Sequence, residues 1–387
     1  MVSSLLRENN KADRTTIILD ETIFPKSFIN KVCDQKHWGH VYVIKKHPRP
    51  LHVFYRHLVY GLKYGELFGM KNVNLVFFTF GNDFTNLLIN SIYEQNNVIL
   101  GEDGLFPYYN FDILTEYYKA LINEPFLRKM ERSIMYKLNP KTRFDARRIN
   151  RLLLFNPEWL PPEVGREYEI ERAAIDWETT QKVFEELSSL YDYQGGNGFR
   201  DIDVVYFDSD LSHTGITTER REFDLSRKIL EQLRGMRIFI KLKPYADARI
   251  NARRKEFYGA LQEKTSCELV VENLESIYPW EILWYNNRHF LKDVILMSPS
   301  FSTAFITPKK FFGSENDIVC LKDIFLGGMP KLKSNSAIGE LVERIGRTYV
   351  HKTIYTPETF TDIQDIVRSI GSKATHRHPD RGVPDVR

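Results

Sequence analysis

Along the first hundred residues, short apolar runs alternate with longer stretches in which apolar positions recur at helical spacing. Thr15-Thr16-Ile17-Ile18-Leu19 and His40-Val41-Tyr42-Val43-Ile44 are β-branched runs that predict strands. Residues 51–69 mix aromatic and apolar positions and predict a helix. Asn74-Leu75-Val76-Phe77-Phe78-Thr79-Phe80 predicts a buried strand closed by Gly81-Asn82-Asp83. A helix over 84–92 follows, then a strand over Asn97-Val98-Ile99-Leu100-Gly101. Strand, helix, strand at this spacing indicates parallel βαβ units.

The pattern restarts in the second half. Asp203-Val204-Val205-Tyr206-Phe207 predicts a strand, Glu222 to Leu233 a helix, and Arg237-Ile238-Phe239-Ile240-Lys241-Leu242 the next strand. Cys267-Glu268-Leu269-Val270-Val271 and Val294-Ile295-Leu296-Met297 predict two more. The last runs straight into Ser298-Pro299-Ser300-Phe301-Ser302-Thr303-Ala304. Between the halves, an acidic stretch from Glu158 to Glu178 contains Pro161-Pro162, and Gly195-Gly196-Asn197-Gly198 makes a break. The expectation is an α/β chain of two Rossmann-like domains facing a central cleft, 1–160 and 201–371, joined by a linker and crossover over 161–200. A polar tail over 372–387 reads as disordered.

Length agrees, since 387 residues exceed what a single core usually supports. Composition is that of an ordinary globular protein, and a net charge of +3 gives no reason to expect nucleic acid as a partner. Cys33, Cys267 and Cys320 are too far apart for a disulfide framework or zinc spacing. The N-terminus turns polar too early for a signal peptide, and no run is long enough for a spanning helix. A cytoplasmic protein is expected, with one qualification. Residues 126–151 carry Arg128, Lys129, Arg132, Lys137, Lys141, Arg143, Arg147, Arg148 and Arg151 against only Glu131 and Asp145. That segment is either a solvated basic face or a peripheral contact with anionic lipid at the inner membrane.

Chemistry concentrates where strands end. Glu102-Asp103-Gly104 follows the strand 97–101 directly. Carboxylates resist burial unless paired or used, and the glycine permits a turn that other residues would strain. Ligands of α/β sheets bind at the carboxyl ends of strands, where a carboxylate could take a proton from a hydroxyl group. A solvated turn with two surface acids is the alternative. Three further features come in order: Lys241-Leu242-Lys243-Pro244, Tyr278-Pro279-Trp280-Glu281 and the Ser/Thr cluster 298–303.

Taken together, these motifs resemble those of the two-domain bacterial sialyltransferases that build capsules and lipooligosaccharides. That family carries an acid-acid-Gly triplet in the first domain, then a His-Pro motif and a Ser-Ser or Ser-Thr motif in the second, often with Pro-x-Glu between them. The resemblance spans about residues 75–310. It implies a GT-B glycosyltransferase that moves a nonulosonic acid from a CMP-activated donor, with inversion, to a glycan or glycolipid acceptor. It also implies no metal and no cofactor beyond the nucleotide sugar. Glu102 would be the general base, with Asp103 as second candidate or orienting partner. Ser302 and Thr303, with Ser300 beside them, would hold the donor phosphate, and Glu281 the ribose hydroxyls. Helix capping by Ser302 and a surface position for Glu281 are the plainer readings.

One departure stands out: Lys243-Pro244 occupies the place of His-Pro. Lysine supplies positive charge to a departing phosphate but is a poor proton donor near neutral pH. His47-Pro48 matches the motif but lies before the acidic triplet, and reads as a chance match or an acceptor-side element. His378-Pro379 lies in the polar tail and is set aside. Asp208-Ser209-Asp210 with His213 reads as a polar strand-end loop lining the cleft, because no second ligand group is visible for a metal. Transfer from CMP-Kdo or a CDP-linked polyol, and a non-catalytic glycan-binding subunit of the same fold, remain as alternatives.

Overall fold

A computed structural model of the chain is mixed α/β with parallel sheets. It describes residues 16–20, 26–34, 39–44, 60–78, 83–102, 104–108, 130, 137, 141, 143, 145–173, 176–193, 195, 197–209, 211–212, 217–243, 248–272, 278–326 and 336–377. The chain divides into two compact units, Met1–Tyr191 and Asp192–Arg387.

In the first unit, β1 (Thr16–Asp20) and β2 (His40–Ile44) pair in parallel. A second sheet runs in chain order through β3 (Asn74–Phe77), β4 (Asn97–Gly101), β5 (Arg151–Leu154) and β6 (Glu169–Arg172), all parallel. Helix α1 (Lys26–Asp34) follows β1, and α2 (Asp83–Ile92) joins β3 to β4. Phe84, Leu87, Leu88 and Ile92 of α2 pack with Ile44, Tyr60 and Leu67. A Cβ on Gly101, the glycine ending β4, would meet the Phe78 ring.

The expected linker does not stand apart from the domains. Residues 161–191 belong to the first unit: they supply β6 and helix α3 (Trp177–Leu190), whose last residue and Tyr191 pack against Leu19, Ile29 and Val32. Strand β6 has the sequence Glu-Ile-Glu-Arg and lies at the sheet edge, so it shows no apolar run. Arg151 on β5 holds it through Glu169 and Glu171, each at 2.8 Å.

The second unit has one six-stranded parallel sheet built from β7 (Val204–Phe207), β8 (Arg237–Lys241), β9 (Glu268–Val271), β10 (Ile295–Ser298), β11 (Ile318–Cys320) and β12 (Ile354–Tyr355). Its spatial order is β9-β8-β7-β10-β11-β12. That is the doubly wound order in which the winding reverses between the first and fourth strands. Helices α4 (Glu219–Leu230), α5 (Ala248–Gln262), α6 (Trp280–Leu291) and α7 (Thr303–Phe312) make successive connections, and α8 (Ser336–Gly346) and α9 (Phe360–Arg377) follow. Both faces of the sheet are covered. Val204 and Tyr206 pack with Ile229, Leu230 and Tyr258, while Phe207 meets Trp280 and Phe305 with ring centroids 4.9 and 6.0 Å away. Continuous apolar strands are what such double coverage requires. Helix α9 runs to Arg377, past the expected start of the tail, and 378–387 lie outside the described residues.

Candidate functional site at the carboxyl ends of the strands

The backbone N–H of Glu102 donates to Leu153 O at 3.0 Å, extending the ladder one residue beyond β4. Its side chain is 7% exposed. Oε2 accepts from the Tyr108 hydroxyl and from the Phe155 N–H at 2.8 Å. The same hydroxyl accepts from the Asn156 N–H at 3.2 Å. Burial, then the neighbouring Glu102 charge, pushes the Tyr108 hydroxyl far above its ordinary range, so it stays a donor. Gly104 has φ +69°, the left-handed turn expected of it. Glu102 therefore fastens the turn at 104–108 to the chain leaving β5. Asp103 lies outside the described residues.

In the second unit, the Lys-Leu-Lys run crosses the end of β8. Lys241 is buried, with Nζ donating to Glu272 Oε2 at 2.9 Å and to Leu242 O at 3.0 Å. The Leu242 N–H reaches the same carboxylate oxygen at 3.0 Å. Burial raises the Glu272 carboxyl, and the Lys241 charge opposes that change. Lys243, next along, is exposed, and Pro244 lies outside the described residues. The buried Lys241–Glu272 pair escaped sequence reading because Lys241 ends β8 while Glu272 lies 31 residues on, just past β9.

The Ser/Thr cluster spans the turn from β10 into α7. Ser298 is buried and its Oγ accepts from the Ser300 N–H at 3.4 Å. Ser302 is the N-cap of α7, accepting from the Ala304 N–H at 3.2 Å. A hydroxyl used in this way still has its own hydrogen to donate. Thr303 opens the helix, and its carbonyl lies 3.3 Å from Thr307 Oγ1. That hydroxyl is also 3.3 Å from Glu281 Oε1, and Trp280 Nε1 donates to Ala304 O at 3.0 Å. Glu281 is half-buried in the first turn of α6. The fold thus brings Glu281 and the Ser302–Thr303 turn together, while capping and helix contacts already occupy part of each.

Asp208 follows neighbouring β7 directly, and its carboxylate is buried in a charged network instead of lining an open loop. Arg254 from α5 donates to Asp208 Oδ1 at 2.6 Å and to Glu222 Oε2 of α4 at 3.0 Å. Tyr258 donates to Asp208 Oδ1 at 2.8 Å, and Ser209 donates to Glu222 Oε1. Burial raises the Asp208 carboxyl to about 6, with Arg254 opposing the rise. Asp208 carried the same sequence signal as Glu102, an acid ending an apolar run. Asp210 and His213 lie outside the described residues. Among the described residues no group of three or more His, Cys, Asp or Glu side chains could hold a metal ion.

The chain matches no family model and no curated protein.

Of the basic segment 126–151, three of the described cations pair with acids within the first unit. Arg147 and Arg148 pair with Asp145 at 2.9 and 3.4 Å, and Arg151 pairs with Glu169 and Glu171. Those three cations are matched by acids, and the Arg147 side chain stays 88% exposed. Among the described residues no helix is long and apolar enough to cross a membrane. His47-Pro48 and His378-Pro379 lie outside the described residues.

Proposed function

We propose that this chain is an inverting glycosyltransferase of the GT-B kind, moving a nonulosonic (sialic-type) acid from a CMP-activated donor to a lipooligosaccharide or capsule glycan at the cytoplasmic face of the membrane. The observation that carries the reading is the position of the Ser298–Thr303 turn. It follows β10, beside β7, at the reversal of a doubly wound sheet. A crevice at such a reversal is where these sheets take nucleotides, and helix N-terminal N–H groups favour phosphate. Lys243, beyond β8, adds a nearby exposed cation on the same carboxyl edge.

In the reaction, the acceptor hydroxyl oxygen bonds to the anomeric carbon as the bond from that carbon to the CMP phosphate oxygen breaks. The bonding pair leaves with CMP, and the hydroxyl proton passes to the Glu102-Asp103 pair. Burial of Glu102 and its grip on Tyr108 and Phe155 favour Asp103 as the group receiving the proton, with Glu102 orienting it. Lys243, Ser302 and Thr303 offset the charge that develops on the departing phosphate.

The test is thermal stabilisation by CMP, CDP, UDP and GDP in the parent and in Ser302→Asp. Aspartate caps a helix as well as serine does, so the variant keeps its melting temperature. It also puts a negative charge where the phosphate would sit. Selective stabilisation by CMP that disappears in Ser302→Asp is expected. Preference for CDP or UDP would overturn the donor and favour another activated donor. No response to any nucleotide would favour a non-catalytic glycan-binding subunit.

A further inference from the structure

A groove of about 500 Å³ lies between α4 and α5 and is lined by Thr218, Arg220, Arg221, Phe223, Asp224, Arg227 and Phe257. Its size is within the range of small-molecule sites. Three arginines face one acid, and that acid is already matched: Asp224 pairs with Arg227 at 2.7 Å and with Lys228 at 3.2 Å. Arg220 and Arg221 are exposed, and among the described residues neither has an acidic partner.

The first turn of α4 already holds two acids, Glu219 paired with Arg253 at 3.4 Å and Glu222 with Arg254 at 3.0 Å, which leaves Arg220 and Arg221 as the charges there without an acid among the described residues. Both stand in the first turn of α4, after the Thr218 cap, where the helix dipole is positive. A cation there is unfavourable, and a bound anion is favourable. Beside them, Phe223 and Phe257 stack face to face, with centroids 3.9 Å apart and planes 6° from parallel, and both are half-buried. The stack gives the groove a flat apolar wall next to two guanidiniums, whose planar forks match phosphate oxygens two at a time.

We infer that this groove binds a phosphate-bearing ligand, its phosphate on Arg220 and Arg221 and its apolar part against Phe223 and Phe257. The site is separate from the donor crevice proposed above and does not depend on that reading. The ligand is either a phospholipid headgroup or a soluble phosphorylated compound.

The experiment uses the full chain carrying Lys243→Ala, which weakens phosphate binding at the proposed donor crevice. Inorganic pyrophosphate is titrated by calorimetry, and sedimentation is measured with phosphatidylcholine vesicles with and without phosphatidylglycerol. Arg220→Glu/Arg221→Glu should weaken pyrophosphate binding by at least about tenfold, a change of 1.4 kcal/mol. Its melting temperature should stay close to the parent's, since the helix dipole favours acids there while Glu219 and Glu222 repel them. Arg220→Lys/Arg221→Lys should keep part of the affinity, and Arg220→Gln/Arg221→Gln serves if the charge reversal does not fold. Vesicle binding that needs phosphatidylglycerol and is lost in the reversal identifies a lipid headgroup. Pyrophosphate binding without vesicle binding identifies a soluble ligand. No pyrophosphate binding, or equal binding in the parent and the reversal, overturns the site.

Discussion

Each unit ends an interior strand on a buried carboxylate that accepts from a tyrosine hydroxyl, yet the two are fastened in different ways. Glu102, after β4, is gripped by Tyr108 and the Phe155 N–H. Asp208, after β7, is gripped by Tyr258 and by Arg254, which it shares with Glu222. The first arrangement is a latch between two adjacent loops. The second is a hub that ties a strand end to two helices through one guanidinium. A latch can be opened with local damage. A hub cannot, because removing its cation leaves two acids in a low-dielectric interior.

The largest effect is therefore expected at Arg254. Its side chain is 2% exposed and both partner side chains are 1% exposed. Arg254→Met should lower the stability of the second unit by about 3–5 kcal/mol at neutral pH. Arg151→Met, which breaks solvent-facing pairs on β5, should leave the urea midpoint close to the parent's. Urea unfolding followed by hydrogen exchange resolves the two units separately. Equal losses in the two variants would remove the distinction between a hub and a surface pair.

Next comes the latch. Glu102→Ala strands the Tyr108 hydroxyl and the Phe155 N–H in a buried site, at roughly 1–3 kcal/mol for each unsatisfied group. Glu102→Gln keeps an oxygen acceptor and should cost less than half as much. In transfer assays the same pair separates two roles. If Glu102 only orients Asp103, Glu102→Gln retains measurable turnover while Asp103→Asn abolishes it. The reverse ranking would make Glu102 the base itself.

How much of this was legible in the sequence follows from where the burial is. Strands β7, β8 and β10 are covered on both faces and read as unbroken apolar runs. Strand β6 is a charged edge paired to β5 by its backbone, with Arg151 matching its acids, so the same stretch reads as a linker. The site divides along the same line. Glu102, Ser302 and Glu281 could be picked out because each follows a local signal: a strand end, a helix start, a proline before a helix. Their partners could not, since Phe155 is 53 residues from Glu102 and Thr307 is 26 from Glu281. Arg254 was hidden for another reason. It sits in the run Arg253-Arg254-Lys255, and only carboxylates supplied by β7 and α4 decide which of those cations is buried.

The last effect is a slope, and it sharpens the contrast between the two carboxylates. Burial raises Asp208 to about 6 in the folded chain, against about 3.9 for an unfolded aspartate. The folded state thus holds this proton more tightly, so the contribution to stability is complete below about pH 4 and is lost as pH rises through 6. The groups facing it are Arg254, Tyr258, Glu222 and Tyr206. Asp208→Asn keeps an oxygen for Arg254 and Tyr258 but cannot titrate. The stability of the parent relative to this variant should fall by about 2–3 kcal/mol between pH 4 and pH 7, at about 1.4 kcal/mol for each tenfold difference in proton affinity between the folded and unfolded chain. A flat difference would mean that Asp208 stays ionised across that window, with the Arg254 charge outweighing burial. The hub would then be an ordinary ion pair, stabilised by the charge that burial here opposes.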